Sequence, residues 1–289
     1  MAEWIDVFKR TGKQFMADDC MGLAQQVAYS SLLAFFPGVV LLVGLLGLVG
    51  AYDELQDFLN PVAPDAVTDV IEQLQKDSGG GSSVAAVVIG TFAAVWIASG
   101  AMGSVLKAVN RAYDRVETRP FWKVRLIAIV LVVASGIVTA GMLLLIVFGD
   151  KLGEAIARQA RLGAFEWIWN IFRWPLAFVA VLLLFALIYS LAPNRDPRSW
   201  KWVTPGSLVG AAMWLVLSGL FALYTAFSSS YSNTYGALAG GIILLLWLNY
   251  TAWAILFGAE LNAELDRQAD IRAAGGPKAG LIKPAKRST

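Results

Sequence analysis

The chain contains no histidine. That absence removes the commonest general base, the usual partner of a catalytic serine or cysteine, and the commonest transition-metal ligand. A single cysteine, Cys20, excludes an internal disulfide and cannot hold a metal alone. Charge is scarce as well: Asp, Glu, Lys and Arg make up 15% of the 289 residues, where a soluble domain carries about 25%. Catalysis would have to rest on carboxylates, lysine or tyrosine. No nucleotide-binding motif is present either, since the Gly-rich run "SGGGSS" lacks the lysine of a P-loop. ATP-driven pumping by this chain alone is thereby excluded, and neither a cofactor nor a metal is expected.

What fills the chain instead is apolar: 57% of its residues are hydrophobic, and the mean hydropathy is +0.62. These values define a membrane protein. The first twenty residues set Trp4, Ile5, Phe8 and Phe15 among charges and show no signal-peptide pattern, so the first span is expected to direct insertion. Crossing ~30 Å of hydrocarbon takes about 20 helical residues. Six runs meet that length, at about 21–50, 84–106, 124–148, 174–191, 205–227 and 237–257. The expected fold is all-α, a polytopic six-helix membrane domain over 21–273. An amphipathic segment over 1–20 precedes it, and a basic tail without order over 274–289 follows. Pro37, inside the overlong first run, predicts a kink or break.

Orientation follows from lysine and arginine, which are enriched on the cytoplasmic side. The N-terminus, the second and fourth connections and the tail hold eighteen of the 23. Both termini are therefore expected in the cytoplasm. On the other side, Val67, Val70, Ile71 and Leu74 recur at helical spacing, and "FEWIWNIFRW" is rich in aromatics. Both read as short interfacial pieces or as loops packed over helix ends. Gly206 with Gly210, Gly236 with Gly240, and Gly100 with Gly103 offer close helix approaches.

Within the spans no Asp, Glu, Lys or Arg occurs, Arg125 being counted with the second connection. A dedicated proton or cation antiporter would need such groups. Neutral polar residues do occur, and in this topology they gather in the cytoplasmic half: Gln25, Gln26, Tyr29 and Ser30 in the first helix, Tyr189 in the fourth, Asn249 and Tyr250 in the sixth. Two readings stand side by side. One is a polar cavity open to the cytoplasm and floored near Pro37, with Asn110, Arg111 and Glu260 at its mouth. The other is ordinary interhelical hydrogen bonding. The last helix is expected to run to about Ala273, which places Glu260 and Glu264, four apart, on one face beyond the apolar run. A structural ion pair, Glu260 with Arg111 for instance, accounts for them better than metal or acid-base work.

Four stretches together resemble the YihY/BrkB family of bacterial inner-membrane proteins, also labelled ribonuclease BN-like: "AQQVAYSSLLAFFPGVVLLVGLLG", "AVNRAYDRVETRPFWKVRLIAI", "LIYSLAPNRDPRSWKWVTPGSLVGAAMW" and "YGALAGGIILLLWLNYTAWAILFGAELNAEL". They occur in order across about residues 20–265, with family motifs falling on Ala28, Tyr29 and Pro37, on Asn110 to Tyr113, on Arg119 to Trp122, and on Gly258 to Asn262. The resemblance implies a multi-pass protein of the inner membrane with both termini inside, in a virulence-associated family whose relatives are suspected of moving lipids or lipid precursors. A transporter of a lipid or amphiphilic envelope precursor is therefore expected, with membrane lipids as partners and a homo-oligomer left open. The alternative is a non-transporting scaffold of envelope biogenesis. The ribonuclease label finds no support in these residues, and no nucleic-acid partner is expected.

Overall fold

A computed structural model describes residues 2–48, 84–147, 165–194, 203–227 and 237–273. Among these the chain forms seven helices and no strand: α1 Ala2–Ala17, α2 Cys20–Leu48, α3 Val84–Ala112, α4 Phe121–Val147, α5 Phe165–Leu191, α6 Pro205–Phe227 and α7 Ala237–Ala273. Helices are what long apolar stretches must form in lipid, where no water satisfies a free backbone group. Five of them, α3 to α7, are long and apolar enough to cross a membrane. The expected first span falls on α2, of whose side chains those from Gly38 inward to Cys20 are mostly described.

Three boundaries differ from expectation. The second predicted span ends at Leu106, but α3 continues to Ala112, so Lys107, Asn110 and Arg111 ride on helix and not on a loop. The aromatic run from Phe165, expected to be an interfacial piece, forms the opening turns of α5, which then passes through Pro175. Likewise α2 passes through Pro37 without a break. The segment around Val67 to Leu74, Gly236 and the 274–289 tail lie outside the described residues.

Each helix from α2 to α6 packs on the next, and α7 closes the ring by touching both α6 and α2, with further contact to α3. α1 lies across α7. Its Val7, Thr11 and Phe15 recur every four residues and are buried, with Phe8 and Phe15 placing their rings 6.5 and 6.0 Å from that of Phe257. Asp19, at φ 52°, turns the chain from α1 into α2 in the left-handed region that short polar residues tolerate.

The α6–α7 crossing is the tightest. A Cβ on Gly206 would run into the Gly258 carbonyl, and one on Gly210 would stand 2.8 Å from the Tyr189 hydroxyl and 3.1 Å from the Ala254 carbonyl. The expected Gly206/Gly210 pair is thus a real helix contact, with Gly258 as its partner. By contrast, the Cβ position of Gly103 faces open space, and Gly100 meets only the Arg125 guanidinium at 3.8 Å.

Tyr189 is completely enclosed, and its hydroxyl donates to the Ile255 carbonyl at 2.8 Å. Tyr189→Phe keeps the ring but deletes this bond; about 1 kcal/mol of stability is expected to go. A melting curve in detergent checks it, and an unchanged curve would show the bond to be energetically silent.

Candidate functional site at the polar end of the bundle

The start of α2, the end of α3, the start of α4, the end of α5, the start of α6 and the end of α7 meet at one end of the bundle. Polar bonds join them there: Asp18 to Arg111, Arg119 to Ala192, and Gly206 to Asn262. Between α2, α3 and α4 this end opens into a groove of about 670 Å³. Its charged lining is Lys107, Arg111 and Arg115 facing Asp18, Asp19 and Glu117, over an apolar wall of Leu23, Leu106 and Val124.

Two polar knots flank the groove. In the first, Asn110 is buried and uses both ends of its amide: Nδ2 donates to Glu117 at 2.9 Å, and Oδ1 accepts the Asn194 backbone N–H at 2.7 Å. Arg119 grips Glu117 in a fork, Nε to Oε1 at 2.8 Å and Nη2 to Oε2 at 2.6 Å. The same guanidinium donates to the carbonyls of Leu191 and Ala192 at 3.1 and 2.8 Å. Those are the orphan carbonyls at the end of α5, where a cation also complements the helix dipole. Hydrogen bonding from Arg119, chiefly, holds the Glu117 carboxyl below its ordinary value.

The second knot answers for the carboxylates of α7. Glu264 pairs with Arg10 at 3.3 Å and with Arg267 at 2.8 Å, and it accepts the Gln268 amide at 2.8 Å. Arg267 reaches on to Asp114 at 2.9 Å. Glu264 thus enters a structural ion network, but Glu260 does not share it and the expected Glu260–Arg111 pair does not form. Arg111 lies 3.7 Å from Asp18, and Glu260 packs against Asp18 and the Cys20 thiol, whose Sγ is 3.5 Å from Oε1. The reason is the α1–α2 corner, which inserts Asp18 between the two, with Asp18 2% and Glu260 1% exposed. Burial first, then the Glu260 charge, pushes the Cys20 thiol far up, so it is a proton donor here and not a reactive thiolate.

Asn262, between the two glutamates, has a separate task. Its Oδ1 accepts the Gly206 N–H at 2.9 Å and its Nδ2 donates to Thr204 Oγ1 at 2.9 Å. Thr204 and Ser207 bond reciprocally in a capping box that opens α6.

The structure does not gather the sequence-selected polar residues round one cavity. Asn110 and Arg111 line the groove. Gln25, Gln26 and Tyr29 are exposed on the outer side of α2, and Ser30 is tied to Ser104 at 3.0 Å. Pro37 is half-buried in α2. Tyr189 fills the packed α5–α7 contact, where a cavity wall was expected. Tyr250 stands edge-on to Phe221 and Trp253, and Asn249 beside it is half-buried. Sequence reasoning missed Asp18, Asp19, Lys107, Arg115 and Glu117 as groove lining. The signal that could have found Lys107 and Arg115 is spacing, since each stands four residues from Arg111.

The long apolar helices, exposing large hydrophobic side chains such as Phe92, Ile137 and Leu220, define an integral membrane protein of helical type. The family model described as Virulence factor BrkB matches residues 11–282, and the chain belongs to that family. Among curated relatives, it is 30% identical to YfkH of Bacillus subtilis (strain 168), described as ribonuclease-like, over 84% of this chain and 89% of that one. It is 25% identical to the UPF0761 membrane protein IL2447 of Idiomarina loihiensis, over 91% and 94% of the two chains. The UPF0761 membrane protein xcc-b100_3490 of Xanthomonas campestris pv. campestris is 25% identical over 88% of this chain and 59% of its own length. No solved structure matches.

Proposed function

We propose that the protein moves a lipid or amphiphilic envelope precursor across the bacterial inner membrane, loading it at the polar end, which faces the cytoplasm. The observation that carries this reading is the groove of about 670 Å³, whose lining combines cations, carboxylates and an apolar wall. An amphiphile needs both kinds of surface at once. The exposed Gln25, Gln26 and Tyr29 on α2 would offer hydrogen bonds to a headgroup leaving the groove, a costly display on an outward helix face. The excess of lysine and arginine in the connections at that end supports its cytoplasmic placement.

Translocation of a fluorescent phospholipid in vesicles containing the purified protein tests the reading. Flux well above that of protein-free vesicles is expected, falling about tenfold in the Gln25→Leu/Tyr29→Phe variant, whose folding should be unchanged because both side chains are exposed. Background flux from well-folded wild-type protein would sink it and favour a non-transporting scaffold, a role for which the exposed Trp4 and Ile5 of α1 provide a surface. Nuclease activity has no place in this reading. RNA incubated with the pure protein and divalent cations should stay intact; cleavage that disappears in Glu260→Gln would prove otherwise.

A further inference from the structure

The groove has a polarity along α3 that the transport reading does not use. Gly100, Gly103, Lys107 and Arg111 follow one another at intervals of three and four, so they lie on one helix face. Arg115 prolongs the line just beyond the helix end, and Lys107, Arg111 and Arg115 all border the groove. Neither Lys107 nor Arg115 has an ion pair among the described residues, and the Arg111 side chain is 53% exposed. The acids of the groove are turned elsewhere: Glu117 into the fork of Arg119, and Asp18 toward Arg111 and Glu260. Asp19, on the opposite wall, stays exposed.

Above the cations the face is bare. Gly103 borders the groove, and nothing stands within 4 Å of its Cβ position. One turn further is Gly100, and against it the guanidinium of Arg125, held by an Nη2 bond to the Trp96 carbonyl at 2.6 Å and lying 4.0 Å over the Trp96 ring. Arg125 has no carboxylate partner among the described residues, and its Nε is buried without a hydrogen-bond partner. From Lys107 to Gly100 the helix rises about 10 Å. The groove is thus a basic mouth bordered by the bare Gly103, with Gly100 one turn further on the same face and the Arg125 guanidinium against it.

We propose that this groove binds the headgroup of an anionic phospholipid, its phosphate gripped by Lys107, Arg111 and Arg115 and its way inward running over Gly103 and Gly100 to Arg125. Lysine and arginine donate charge-assisted hydrogen bonds to phosphate, the arginines as planar forks. Leu23, Leu106 and Val124 supply the apolar wall that the glycerol and first methylenes require. When the groove is empty, Asp18 occupies Arg111; a phosphate competes for that same guanidinium. The same cations could take free phosphate, and the apolar wall decides for the lipid. The proposal rests on the amphiphile-moving reading for its purpose, though not for the binding itself.

Native mass spectrometry of the full chain in detergent, supplied with equal amounts of phosphatidylglycerol and phosphatidylcholine, reads the preference directly. About tenfold greater retention of phosphatidylglycerol is expected, lost in Lys107→Gln/Arg115→Gln and reduced in Arg125→Gln. Equal retention of the two lipids, or a preference untouched in the double variant, overturns it. So does a groove that retains no lipid while millimolar inorganic phosphate protects Arg111 from guanidine-directed labelling, since that assigns it to a soluble anion. Should the double variant fail to fold, the wild-type preference must still weaken as salt rises, and a salt-independent preference overturns the proposal equally. Flux on the same variants separates this idea from the transport reading. Lost preference with flux retained sinks the headgroup site alone; retained preference with background flux sinks transport alone.

Discussion

Gly206→Val is expected to leave little folded protein, with the surviving fraction melting roughly 10 °C below wild type. At this position a first side-chain carbon already collides with the Gly258 carbonyl and crowds the Asn262 amide, which a valine cannot avoid by choosing another rotamer. Backbone carbonyls on a long helix cannot retreat, so α6 and α7 would have to move apart. That separation also breaks the Gly206–Asn262 bond and, through Asn262 and Thr204, the capping box that starts α6. Overpacking of this kind costs about 1–3 kcal/mol and a lost cap about 1 kcal/mol more. Gly219→Val on the same helix is the control, because nothing lies within 4 Å of its Cβ position. Thermal melting in detergent decides: equal curves for the two variants would show that the α6–α7 contact is looser than described.

Arg119→Ala is expected to cost about 2–4 kcal/mol, the sum of a forked ion pair and two charge-assisted bonds to carbonyls. The side chain is only 11% exposed, so the carbonyls of Leu191 and Ala192 would lose their donor without gaining full access to water. Arg119→Lys should recover only part of the loss, since one ammonium cannot serve Glu117 and two carbonyls in that geometry. The clasp also carries a pH signature. The folded pKa of Glu117 lies below its ordinary value, so its contribution is complete above the ordinary carboxylate pKa and is lost as pH falls through the lowered one. Stability should therefore decline on acidification, and Glu117→Gln should flatten that part of the profile. Because the Glu117 side chain is about a third exposed, solvent keeps the effect modest. A profile identical in Glu117→Gln and wild type would remove the carboxylate from the clasp.

Much of the fold was legible before any coordinates. The apolar runs at 124–148 and 205–227 became α4 and α6 within three residues at each end, because hydrocarbon thickness sets helix length and apolar side chains announce it. The end of α7 at Ala273 was legible for a different reason: good helix formers continue to the breakers Gly275, Gly276 and Pro277. The start of α5 was not, since hydropathy falls in "FEWIWNIFRW" while helix continues; backbone bonding outlasts the apolar stretch.

The candidate site divides along the same line. One-dimensional spacing put Glu260 and Glu264 on one face and warned that cations must be near, and Glu264 indeed meets Arg10 and Arg267. Which cation would meet which acid could not be read, because Arg10 is 254 residues from Glu264 and Arg111 is 93 from Asp18. Likewise Asn110 and Tyr189 look alike in sequence, polar residues near helix ends. Only packing decided that one borders an open groove with its amide already used, while the other fills a closed helix contact. What the sequence by itself determined, then, is medium and scaffold: a helical membrane protein, its likeness to the BrkB family, and a polar end rich in cations. Medium and polar end depend on composition and on short-range periodicity, and the family likeness on four matching stretches. The tertiary structure alone decided which polar groups are spent on each other and which stay turned to the groove, because partner choice depends on which helix ends the ring brings within hydrogen-bond reach.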